Sequence, residues 1–231
     1  MTVAQYGVIW DFDGTLVDTM PTHFGAWQKF MAAHHHTFSE AEFWVTSGKS
    51  AEEILKSYFR EASTEELTRL GDLKNSYYRE AADRQGIIFT PGAEELLKAL
   101  REAGFKQAIG SGTPRKNLEL AYRQHPWLTT YFQVAVVAGD TPNSKPDPEV
   151  FLLAARNLGL APRHCLVIED GLLGIEAAKR AGMASVAVLA EGQSQAEFLE
   201  RGAARVVKSL QDLSVAAILE VINNSNLAVE K

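Results

Sequence analysis

Apolar positions along the chain fall into two rhythms. Tyr6-Gly7-Val8-Ile9-Trp10 is a short continuous apolar run, ended at once by Asp11-Phe12-Asp13-Gly14-Thr15. A run of this length, rich in strand formers, predicts a strand buried on both faces. From Pro21 to about Arg84 the spacing turns helical. Phe24, Trp27, Phe30 and Met31 share one face, Ser39 and Glu42 form a capping-box pattern ahead of Phe43 and Trp44, and residues 51–60 and 64–83 read as further amphipathic helices. After Pro91 the rhythm alternates. Helices over 92–102, 114–123, 148–158, 174–181 and 214–222 interleave with strands over 105–110, 133–138, 165–168, 184–189 and 204–207. Alternation of this kind predicts βαβ units and a parallel sheet covered on both faces. The expected architecture is therefore α/β: a doubly wound parallel sheet whose core takes residues 1–17 and 87–231, with a helical cap of residues 18–86 inserted after strand one.

Composition changes this picture little, but it narrows the partners. The chain has 231 residues, 46% hydrophobic and 23% charged, which is ordinary for a soluble globular protein. A net charge of −6 without a basic run argues against a nucleic-acid partner. The single cysteine, Cys165, admits no intramolecular disulfide and precedes an apolar run, so it reads as buried filler in a reducing compartment. No stretch approaches the ~18 apolar residues of a membrane span, and the N-terminus shows no basic-then-apolar signal. A soluble, cytoplasmic monomer without a membrane partner is expected. The polar tail Asn223-Asn224-Ser225-Asn226 is expected to fray.

The candidate chemistry sits where strands end. Strand side chains at i and i+2 point the same way, so Asp11 and Asp13 lie side by side if the chain stays extended. Paired carboxylates need a cation or a shared proton, and hard oxygen ligands favour Mg²⁺. The plain alternative is a strand running into an Asp/Gly turn. Other strand ends carry Ser111-Gly112-Thr113 and Glu169-Asp170-Gly171, and Lys145-Pro146-Asp147-Pro148 leads into a helix. Each has an ordinary reading: a helix-capping loop, helix-terminal acids, a solvated lysine. Ligands of open α/β sheets bind at the carboxyl ends of strands, and all these groups fall on that one rim. Together they suit phosphoryl transfer through an aspartyl-phosphate, with a carboxylate nucleophile, a metal, donors for the phosphoryl oxygens and a second acid for proton transfer.

Asp11-Phe12-Asp13-Gly14-Thr15-Leu16-Val17-Asp18-Thr19 resembles the first motif of the haloacid-dehalogenase-like superfamily. Ser111, Ser144-Lys145-Pro146-Asp147-Pro148 and Ile168-Glu169-Asp170-Gly171-Leu172-Leu173-Gly174 are similar to its second, third and fourth motifs, in order along nearly the whole chain. The resemblance implies a Rossmann-like core with a helical cap. It also implies Asp11 as nucleophile, Asp13 as general acid/base, and Mg²⁺ held by Asp11, the Asp13 backbone carbonyl and Asp170, with Glu169 near the metal or its waters. Ser111, with Gly112 beside it, and Lys145 would grip the phosphoryl group of a small phosphorylated metabolite. Within the superfamily the chain looks like β-phosphoglucomutase and the small sugar-phosphate phosphatases. Pro21-Thr22-His23 with Ala26-Trp27, and Lys74-Asn75 with Tyr78, are similar to their cap segments, which makes His23, Trp27, Lys49, Lys74 and Asn75 candidate substrate contacts.

Two departures weigh toward phosphatase over phosphosugar mutase. Ala51 stands where the mutase's cap arginine grips a second phosphate, and Pro114 and Arg115 stand where its lysine and asparagine follow the second-motif serine. Loss of a bidentate phosphate contact is not conservative, although Lys49 or Arg115 could stand in. A phosphorylatable signalling module is the reading from another class. It would use an acid near strand three, and Asp140 is the candidate, but such modules carry no cap. Asp13 argues against dehalogenase and phosphonatase chemistry. His34-His35-His36 cannot chelate from one helix face and reads as a solvated helix end.

Overall fold

The structure, a computed structural model, describes residues 6–46 and 48–229. Its centre is β1 (Gly7–Trp10), flanked by β2 (Lys106–Pro114) and β4 (Cys165–Glu169). With β3 (Val134–Ala138), β5 (Ala184–Val188) and β6 (Arg205–Val207) they form one parallel sheet in the order β3-β2-β1-β4-β5-β6. The order reverses direction at β1, which puts the ligand crevice at the carboxyl end of that strand.

Between β1 and β2 come five helices: α1 (Met20–Ala33), α2 (Glu40–Val45), α3 (Ala51–Tyr58), α4 (Thr64–Gln85) and α5 (Ala93–Glu102). The first four share a hydrophobic cluster of their own, built on Trp27, Phe30, Met31, Phe43, Leu55 and Leu70. The expected capping box at Ser39 and Glu42 is present, and a second one joins Ser50 to Glu53 at the start of α3. The remaining helices are α6 (Arg115–Gln124), α7 (Glu149–Leu158), α8 (Leu172–Arg180), α9 (Gln195–Arg201) and α10 (Val215–Val229).

Strand alternation accounts for the two layers. Val8 and Trp10 face a cluster with Leu97 and Leu100 of α5, Leu118 of α6 and Ile218 and Ile222 of α10. Ile9 faces the other way, onto Phe151 and Ala154 of α7 and Ala177 of α8. Gly110 is needed on this second face: a Cβ there would lie 2.8 Å from Ile9 Cγ2 and 2.9 Å from Phe151 Cδ1. Cys165 is buried, and burial pushes its thiol up to about 12, so it is filler.

The differences from expectation lie at the ends of elements. β2 continues past Gly110 to Pro114 through an irregular step in its pairing with β3. α10 runs to Val229 instead of stopping near 222, because Ile218, Val221 and Ile222 anchor its face while the polar segment rides in solvent. α9 is an additional helix. It is seven residues long and buries only Phe198, too little periodicity to read. Among the described residues no helix is long and apolar enough to cross a membrane.

Candidate active site

β1 and β4 deliver their acids together because the pairing runs one residue past the strands. The Asp11 N–H donates to the Ile168 carbonyl at 2.9 Å, which brings Asp11 beside Glu169 and Asp170. Carboxylate oxygens of these three buried residues lie within 4.8 Å of one another. Lys145 Nζ donates to Asp11 Oδ1 and Glu169 Oε2, both at 2.7 Å, and stands 4.8 Å from the centre of the Phe151 ring. Glu169 Oε1 accepts the Gly171 N–H at 3.1 Å, and the Thr15 hydroxyl donates to Asp170 Oδ1 at 2.9 Å. Two glycines make room. A Cβ at Gly14, whose φ is +81°, would lie 2.3 Å from Asp170 Oδ2, and one at Gly174 would lie 2.1 Å from the Glu169 carboxyl.

Three carboxylates against one ammonium leave a surplus of two negative charges when all are ionised. Burial, and then the neighbouring Asp11 charge, push Glu169 up to about 7. Burial, followed by Glu169 and Asp11, raises Asp170 as well. Lys145 is held charged: burial opposes this, but Asp11 and Glu169 outweigh it. A buried, oxygen-only donor set with this surplus fits a divalent cation.

Asp13 is differently engaged. Its carboxylate is not one of the three grouped acids; it accepts from the Thr19 hydroxyl at 2.6 Å and lies 3.2 Å from His23 Nε2. The chain does not stay extended after β1. It turns back through Gly14 so that Asp13 pairs with Val17. His23 Nε2 meets Asp13 at close range but off the ideal hydrogen-bond line. Lys74 Nζ lies 3.0 Å from His23 Nδ1, which makes Nδ1 the acceptor and leaves the ring proton on the side of Asp13. Burial would raise Asp13, but His23, Thr19 and Thr113 bring it down to about 2. Burial first, and then the Lys74 charge, lower His23; burial likewise drops Lys74 to about 7.

Asp11, Asp13, Ser111, Gly112, Lys145, Glu169 and Asp170 line a single cavity of about 440 Å³, joined by His23 and Trp27 of α1, Lys74 of α4 and Lys49 from the segment between α2 and α3. Asn75 is not among the lining residues. It is buried and lies 3.5 Å from Lys74 Nζ, the limit of a hydrogen bond. Ser111 Oγ accepts the Thr113 N–H at 3.2 Å. Trp27 is both core and wall, with Lys74 Nζ 4.8 Å from its ring centre. Arg115 is spent on Asp140 at 2.5 Å, and Asp140 also accepts the Val137 N–H, so neither faces the cavity.

Sequence reasoning overlooked Thr15, Thr19 and the stack of Tyr78 on His23, whose ring centres are 3.9 Å apart. The threonines fall within the first motif and carry a signal in hindsight. The Tyr78 contact depends on how α4 packs on α1 and has none.

A family model for haloacid dehalogenase-like hydrolases matches residues 7–182. The chain belongs to this family. A phosphorylated carbohydrates phosphatase of Thermotoga maritima is 29% identical over 216 residues, covering 90% of this chain and 96% of that protein. Hexitol phosphatase A of Escherichia coli is 34% identical, covering 79% and 82%. The crystal structure of a β-phosphoglucomutase from Clostridium difficile superposes with a TM-score of 0.83 at 28% identity, over 96% of this chain and 99% of that one. The hydrolase fold with its helices inserted after the first strand is thus the family's own.

Proposed function

We propose that the protein is a Mg²⁺-dependent phosphatase that hydrolyses a small phosphorylated metabolite, a sugar phosphate, through an aspartyl-phosphate on Asp11. The observation that carries this reading is the Lys145 bridge between Asp11 and Glu169, set beside Asp170 in a cavity that Asp13 enters from another side. Phosphatase relatives support it. The cytoplasm, a monomeric state and the absence of nucleic-acid and membrane partners belong to the same reading.

Asp11, Asp170 and the Asp13 backbone carbonyl would hold the Mg²⁺, with Glu169 near it; when bound, the ion neutralises phosphoryl oxygens and the attacking carboxylate. Asp11 attacks phosphorus. Lys145, Ser111 and the Gly112 N–H hold the phosphoryl oxygens as charge spreads over them. Asp13 protonates the departing oxygen and then takes a proton from the water that cleaves the acyl-phosphate. At about 2, Asp13 is ionised in the free protein, ready as a base. A dianionic phosphate arriving beside it raises its proton affinity by like-charge repulsion, which loads it as an acid. The helices of residues 18–86 act as the cap, closing over the substrate and excluding water.

The raised acids give a signed pH test. Glu169 moves from 4.5 in the unfolded chain to about 7 in the fold, so across that window the folded state binds more protons and metal-free stability falls as pH rises. Mg²⁺ competes with those protons. The rise in melting temperature on adding Mg²⁺ is therefore expected to be larger near pH ~7.5 than near pH ~5. Thermal denaturation at both values checks it, and an equal shift counts against a metal on these acids.

A phosphosugar mutase is the competing reading. Ala51 cannot grip a second phosphate, Arg115 is committed to Asp140, and Lys49, which lines the cavity, supplies a point charge without the bidentate fork. Phosphate release is accordingly expected at full rate without any bisphosphate, and added sugar bisphosphate should not stimulate it. A rate that depends on a trace of bisphosphate would favour the mutase.

A further inference from the structure

The cap side of the cavity carries one carboxylate that the mechanism does not use. Thr46, Ser50, His23 and Lys74 line the same cavity, and each is bonded within the protein. Glu52 lines it too, is half-buried, and makes no hydrogen bond or ion pair among the described residues. It rests against α4 at Gly71, where an added Cβ would lie 3.4 Å from Glu52 Oε1 and 3.3 Å from Ala51 Cβ. Lys74 is one turn further along α4, but its ammonium is directed to His23 Nδ1 and Asn75 Oδ1 and forms no ion pair with Glu52. Among the lining residues on this side Phe43 and Ile54 offer no donors, and neither the Trp27 indole N–H nor the Lys49 ammonium is bonded to Glu52. A partly desolvated carboxylate can only accept, so its missing partners are O–H or N–H donors.

We propose that Glu52 is a specificity-determining residue, reading hydroxyl donors at the substrate end remote from the phosphate and repelling a second phosphate there. The substrate class is then a polyhydroxylated monophosphate. This rests on the phosphatase reading of the same cavity. The ordinary role of an acid in the first turn of α3 is to complement the helix dipole, and the test must separate the two.

The experiment is steady-state kinetics with Mg²⁺ on the full chain, Glu52→Gln and Glu52→Ala, using a hexitol monophosphate, the corresponding bisphosphate and p-nitrophenyl phosphate. In Glu52→Ala, kcat/KM for the monophosphate relative to p-nitrophenyl phosphate is expected to fall ~10-fold or more, through KM. In Glu52→Gln, which keeps the shape and an acceptor oxygen, that ratio should fall less. Turnover of the bisphosphate relative to the monophosphate should rise ~10-fold, since the repelling charge is gone. Ratios that move less than ~2-fold, with a lowered melting temperature, identify a helix-dipole acid and overturn the proposal. A wild-type protein that cleaves p-nitrophenyl phosphate but not the hexitol monophosphate overturns it while sparing the phosphatase reading. No turnover of any of the three brings down both.

Discussion

Asp11→Asn is expected to reduce Mg²⁺-dependent phosphate release by ~10⁴-fold or more while leaving the protein folded. An amide oxygen can still accept from Lys145 at the present 2.7 Å, so the buried bridge survives. On the proposed mechanism what disappears is the nucleophile, and neither a metal nor the groups proposed to grip the phosphate can replace a bond to phosphorus. A second consequence has the opposite sign. The Asp11 charge is one cause of the raised proton affinity of Glu169 and Asp170, so its removal should stabilise the metal-free fold at neutral pH. The melting temperature should rise without Mg²⁺ and respond less when it is added. Turnover within ~10-fold of the parent would defeat the aspartyl-phosphate reading.

Lys145→Met is expected to damage both stability and rate. The methionine fills the space against Phe151, but Asp11 and Glu169 lose their shared ammonium in a site only a few per cent exposed. Breaking a buried ion pair from one side costs about 3–5 kcal/mol at neutral pH, because the other charge stays buried. Lys145 is one of the groups that draw the Glu169 proton off, so in the variant that carboxyl keeps its proton further above neutral, and the cost should be smaller at acid than at alkaline pH. Urea unfolding at acid and alkaline pH reads this directly; a pH-independent loss would point to packing instead. Phosphate release should fall ~10³-fold, as for removal of a principal donor to developing charge.

Much of this site is local in the chain, and that is why it could be read. Asp11 follows a doubly buried strand directly, Glu169 and Asp170 do the same on β4, and parallel pairing of β1 with β4 makes adjacency almost automatic. The Ser39 capping box is a four-residue pattern that needs no tertiary help. Ser50 and Glu53 offered the same pattern unread. Arg115 shows the converse: its sequence position suggested a phosphate grip, but its partner Asp140 comes from the loop after β3.

The alternating core, the place of the insertion and the acids at the rim could be read along the chain, because strand and helix periodicities and strand-end positions are properties of neighbouring residues. Which charges meet depends on contacts between elements distant in the chain. The chain reverses at Gly14, so Asp13 turns to Thr19 and His23 rather than joining Asp11. Packing of α4 on α1 sets Lys74 and Tyr78 on His23, and the approach of α3 to Gly71 seats Glu52 in the cavity. Burial and distance set the protonation of Asp13, His23 and Lys74, and neither exists until the chain has folded.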